Sequence, residues 1–113
     1  RNLRIATHLI LKLEDGLGGC EGHVTVLSEY GMFYRTLEPR PVNARIPAVL
    51  ALKSRLIQLE AVVLYTTSFD EGPFKEPGMG MKFVKISRAD RDLIATFMLE
   101  QLEESIVRQS SHQ

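Results

Sequence analysis

Gly78-Met79-Gly80-Met81-Lys82-Phe83-Val84-Lys85-Ile86-Ser87-Arg88-Ala89-Asp90 decides the fold, because the hydrophobic period changes inside it. Met79, Met81 and Phe83 share one side of an alternating run, which predicts a strand over 79–86. Ser87 then offers a hydroxyl N-cap with an acidic residue, Asp90, three positions on, a variant of the capping box. Leu93, Ile94, Phe97, Met98, Leu102 and Ile106 follow at three- and four-residue spacing and form one apolar stripe. Asp90 and Asp92 in the first turn and Arg108 near the end suit the helix dipole. The spacing predicts a helix over 87–109, and the polar tail 110–113 is expected to fray.

Upstream of this stretch the period is close to two. Ile5, Leu9, Leu11 and Leu13 share a parity and predict a first strand; Asp15-Gly16-Leu17-Gly18-Gly19 breaks it with a turn. A second strand is expected at about 23–27, a bend at Ser28-Glu29-Tyr30-Gly31, and a third strand at 32–36. Glu38-Pro39-Arg40-Pro41 reads as a loop, since alternate prolines cannot serve a central strand. Segments 46–52 and 56–67 read as two further strands, with Leu59, Ala61, Val63 and Tyr65 on one parity. Ser68 to Gly78, with its prolines, glycines and acids, reads as an exposed loop. Short strands followed by one helix, without βαβ alternation, point to a small antiparallel barrel or sandwich with the helix over an open end or face. The whole of 1–113 reads as a single domain, with the barrel in 1–86.

The composition is that of a folded globular chain: 113 residues, 44% hydrophobic and 25% charged. Fourteen basic residues balance 14 acidic ones, which removes the electrostatic case for a nucleic-acid polymer or a membrane surface as partner. No apolar run is long enough to cross a bilayer. Cys20 is the one cysteine, so no internal disulfide can form and a reducing, cytoplasmic setting is expected. Cys20-Glu21-Gly22-His23 has the spacing of half a zinc site, but no further set of ligands completes it, and no metal is expected. Gly16, Gly18, Gly19 and Gly22 match neither phosphate-binding fingerprint. Asp70, Glu71 and Glu76 lie in a loop with no companion base or nucleophile, so no enzyme is expected and no cofactor is called for. Ile106 and Val107 lie beyond the part of the helix that core packing requires. They are expected to make an exposed contact, with a second copy as a homodimer or with another protein.

Three stretches, in order, resemble the PilZ family. Ser28-Glu29-Tyr30-Gly31-Met32-Phe33-Tyr34-Arg35-Thr36 is similar to the family's Ser-x-x-Gly-Gly-Met-Phe-type segment, and Glu38-Pro39-Arg40-Pro41-Val42 to the loop that follows it. Pro77-Gly78-Met79-Gly80-Met81-Lys82-Phe83 is similar to the Gly-Met-Gly-Val-x-Phe strand. The resemblance implies a mainly β fold: a six-stranded antiparallel PilZ-type β-barrel with a C-terminal α-helix. It also implies a non-enzymatic bacterial signalling module with cyclic di-GMP as ligand, and a protein partner in motility, pilus or chemosensory systems.

The family holds cyclic di-GMP with Arg-x-x-x-Arg and with Asp/Asn-x-Ser-x-x-Gly. Carried over, Arg4 is the second arginine, whose family partner would lie upstream of this chain; Arg1, three positions away rather than four, is an imperfect substitute. Ser28 and Gly31 match the second motif, while Val26 departs from it at the Asp/Asn position. A guanine donor facing Val26 stays unpaired at a cost of about 1–3 kcal/mol, roughly ten- to a hundredfold in affinity or more. Nucleotide binding is therefore expected to be weakened or lost, leaving an adaptor. The alternative is a working receptor whose first arginine precedes Arg1. Arg1 and Arg4 also have a plain reading as solvated charges beside an edge strand, and Ser28 and Gly31 as bend residues.

Overall fold

The computed structural model describes residues 3–17, 21–68 and 76–110, with the side chains of 108–110 left aside. Arg1, Cys20, Asp70, Glu71 and the tail beyond 110 lie outside the described residues. Strands β1 (Arg4–Leu13), β2 (Glu21–Ser28), β3 (Gly31–Arg35), β4 (Arg45–Leu52), β5 (Arg55–Thr67) and β6 (Gly78–Lys85) precede helix α1 (Arg88–Ser110). They close into a barrel in the order β1-β2-β3-β6-β5-β4, every neighbour antiparallel. The fold is thus mainly β, a closed six-stranded antiparallel barrel with one C-terminal helix.

Alternation places the core. Leu11, Leu13, Met79, Met81 and Phe83 point inward as their parity predicts, joined by Leu50, Ile57 and Tyr34. The seam that closes the barrel is short: β1 meets β4 only at Leu11, Lys12 and Leu13, while the other five pairings run along most of their strands.

The two ends of the barrel are closed differently. At the end where β6 finishes, Ser87 caps α1 by accepting the Asp90 N–H at 3.0 Å. The first turns of the helix then bury Ile94, Phe97 and Met98. Arg91 lies over the Tyr30 ring, 5.1 Å from its centre, and Lys53 of the β4–β5 turn over Phe97 at 5.8 Å. Beyond Met98 the stripe leaves the core. Leu102 is half-buried, and Ile106 and Val107 are exposed.

At the opposite end, where β1 and β3 finish, Arg40 is drawn in from the proline loop. Its guanidinium donates to Asp15 through Nε at 2.8 Å and through a terminal nitrogen at 3.3 Å, and to the Glu38 carbonyl at 2.8 Å. Its backbone N–H points at the Met79 sulfur. Those side-chain hydrogen bonds hold the Asp15 carboxyl below the ordinary carboxylate range, against the opposing effect of burial, and raise the guanidinium's own pKa.

Tyr65 departs from its expected side. It shares parity with the buried Leu59, Ala61 and Val63, yet is half exposed. Val63 pairs with Met81 but Tyr65 with Gly80, so two steps along β5 match one along β6. This β-bulge turns Leu64 and Tyr65 outward together.

Candidate functional site

Two bulges build one cleft. On β2, Val24 pairs with Tyr34 and Val26 with Phe33, so the extra residue Thr25 rotates Val26 off the inward parity of Val24. Val24 is wholly buried; Val26 comes out half-buried. The β1 hydroxyl of Thr7 donates to the Val24 carbonyl at 2.7 Å, satisfying a group beside the irregularity. Thr25 is in turn hydrogen-bonded to the Glu76 carboxylate, which anchors the approach to β6. Together with the β5 bulge, this leaves Val26, Leu64 and Tyr65 facing the same outer surface.

That surface is an apolar row across the sheet. Ala6 pairs with Val26, Val26 with Phe33, Phe33 with Gly80, and Gly80 with Tyr65. The Phe33 and Tyr65 rings stand 6.4 Å apart, tilted by 31°, with Gly80 between their positions. A Cβ on Gly80 would lie 2.3 Å from a Tyr65 ring carbon, so the bare backbone is what lets the ring settle over the strand. The cleft has a volume of about 220 Å³. Leu64, Tyr30 and Met32 add apolar surface, and Arg4 and Lys82 supply the charged groups on its lining.

The β1–β2 register sets Arg4 directly opposite Ser28, so the two expected elements of a ligand site meet although far apart in sequence. Ser28 Oγ accepts the N–H groups of Tyr30 and Gly31 at 3.3 and 3.0 Å and donates to the Gly31 carbonyl at 3.2 Å. The hydroxyl therefore holds the bend in shape. Gly31 is required for a separate reason: a Cβ there would meet the Met81 carbonyl oxygen at 2.3 Å. Arg4, Val26, Ser28 and Gly31 all line the cleft, while Arg1 is outside the described residues.

The site residues implied by the family resemblance did not include Phe33, Leu64, Tyr65 or Lys82. Gly80, flanked by aromatic-bearing strands, was the available signal for the first and third. No group of three or more potential metal ligands is found among the described residues. His8 and His23 stack at 3.9 Å with near-parallel rings instead of converging on a point. No described helix is long and apolar enough to cross a membrane.

Comparison with known proteins agrees with this architecture. The family model described as the PilZ domain matches residues 1–100. No curated protein matches the chain. Among solved structures, the chain is similar to the Bacillus subtilis inhibitor of motility, MotI/DgrA, with a TM-score of 0.76 and 17% identity over 91% of this chain and 51% of that one. YcgR from Escherichia coli, solved in complex with c-di-GMP, gives 0.78 and 13% over 100% and 50%. MrkH, described as a c-di-GMP-dependent transcription regulatory factor, gives 0.68 and 18% over 92% and 51%. The chain spans about half the length of each of these proteins. At such identities the likeness speaks for the fold, and the family match over most of the chain decides the rest: this chain belongs to the PilZ domain family.

Proposed function

We propose that this chain is a non-enzymatic, cytoplasmic signalling module of the cyclic di-GMP pathway, with weakened or lost nucleotide binding and a protein-interaction adaptor role in motility, pilus or surface behaviour. Val26 carries the reading. It lines the cleft beside Arg4 and Ser28, at the place where the family motif has Asp or Asn, and offers no polar atom. A nucleobase edge placed there loses a hydrogen bond that water would otherwise supply. The fold's likeness to YcgR in complex with c-di-GMP and to an inhibitor of motility supports the pathway.

Calorimetric titration with cyclic di-GMP, on the unaltered chain and on Val26→Asp, tests this. The expected result is weak or no heat from the first and an affinity gain of about ten- to a hundredfold in the second. Tight binding by the unaltered chain overturns the weakened-affinity reading and establishes the receptor alternative. The pairing of Arg4 with Ser28 on adjacent strands, both lining the cleft, favours that second reading. In it, Arg4 grips phosphate with its planar fork of donors, and Arg4→Ala abolishes binding.

A further inference from the structure

The outer row is a poor fit to the fold's own needs. Leu64 and Tyr65 are each about half exposed, at 52% and 50%, although a regular β5 would have kept one of them inside the barrel. The β5 bulge turns both out, against the ordinary gain from burial. A volume of about 220 Å³ lies below the roughly 300–1,000 Å³ of pockets that enclose a whole small molecule. It is on the scale of one large side chain. Arg4 and Lys82 line the cleft, Arg91 lies over the ring of Tyr30 beside it, and among the described residues no lining residue is acidic. In a chain with no net charge, this is a local concentration of positive charge around an apolar floor. The floor of the cleft is the outer face of strands β2, β3, β6 and β5, which are hydrogen-bonded to one another, so recognition there runs through side chains.

We propose that this cleft docks a protein partner through one aromatic or branched aliphatic side chain flanked by carboxylates, the apolar group seated on Phe33, Leu64 and Tyr65 and the acids facing Arg4 and Lys82. The proposal rests on the adaptor reading above and names the chemistry of its partner. Carboxylates at the rim steer the encounter and fix orientation, while the buried side chain supplies most of the affinity. Val26 belongs to the same device: a carboxylate there would repel the partner's acids and wet the floor, whereas a valine extends the apolar row towards Ala6.

The test is nitrogen-15 NMR of the whole chain titrated with the peptide acetyl-Gly-Ser-Phe-Asp-Asp-Ser-Gly-amide. Saturable shifts at millimolar peptide, centred on Val26, Phe33, Leu64, Tyr65 and Lys82, are expected. Replacing the peptide's Phe with Ala should cost at least about tenfold in affinity. Replacing its Asp residues with Asn, or Lys82→Glu in the chain, should each cost about two- to fivefold, since rim charges are solvated. Leu64→Ser should weaken binding without disturbing the spectrum of the core, because Leu64 is exposed. Absence of saturable shifts, shifts centred elsewhere, or equal binding of the Ala peptide overturns the proposal. Titrating cyclic di-GMP into the unaltered chain separates the two ideas. Tight nucleotide binding there sinks the weakened-affinity reading alone, while the peptide series decides the docking chemistry.

Discussion

One end of the barrel is closed by grease and the other by an ion pair. Beneath α1, Ile94, Phe97 and Met98 are packed into the core, and their contribution scales with the apolar area they remove from water. At the far end Arg40, 5% exposed, meets Asp15, 13% exposed, in a two-point contact backed by the Glu38 carbonyl. Withdrawing two charges from water costs about as much as their attraction returns. The lesson lies in what each closure tolerates. The apolar plug weakens in proportion to what is cut away, whereas the ion pair fails abruptly when one partner is removed and hardly at all when both are.

Breaking the plug should have the largest effect. Phe97→Ala is expected to lower unfolding free energy by about 3–5 kcal/mol, the range for a large aromatic truncated in a packed core. Urea unfolding measures it; a loss below about 1 kcal/mol would mean that α1 rests on the barrel without closing it. Next comes Arg40→Met, which keeps much of the volume and strands the Asp15 carboxylate. We expect about 2–3 kcal/mol, below the 3–5 kcal/mol of a fully buried broken pair, because Asp15 retains some contact with water. The double variant Asp15→Leu with Arg40→Met should recover most of that loss. Additive losses in the double-mutant cycle would instead show that the two groups do not act as a pair.

The same pair sharpens the comparison through pH. The hydrogen bonds from Arg40 hold the Asp15 carboxyl below the ordinary carboxylate range, so the carboxylate is favoured in the folded chain. The resulting stability is complete above the unfolded carboxyl's pKa of about 3.9 and is lost as pH falls through the depressed folded value. A series of unfolding midpoints from neutral to acid pH should show a smaller drop in Asp15→Asn than in the parent. Parallel curves would remove the ion pair from the account.

The two closures also differ in how far a reader of residues could foresee them. A stripe at three- and four-residue spacing announces a helix and its buried face, because one period serves both. Asp15 and Arg40 sit in a turn and a proline loop, where side chains follow no period and partners are set by which loops the closed barrel brings together. The cleft was legible in part. Arg4, Ser28, Gly31 and Val26 could be named through the resemblance to the PilZ motifs, but Leu64 and Tyr65 could not be placed, since a single inserted step in β5 reverses the expected side. Bulges arise from the competition of packing and register across strands, which a local pattern does not contain.

The smallest effect tests whether the helix end depends on its cap as well as on its grease. Ser87 Oγ accepts the Asp90 N–H, one of the donors that the first helical turn leaves without an internal partner. Ser87→Ala removes that acceptor at an exposed site, where water can replace it in part. The expected cost is about 1 kcal/mol, several times less than Phe97→Ala, with Ser87→Asp close to neutral because aspartate caps as well and favours the helix dipole. Urea midpoints of the two variants decide it. A loss in Ser87→Ala as large as that in Phe97→Ala would mean that docking of α1 waits on its first turn. The apolar plug would then be a consequence of the cap instead of an independent closure.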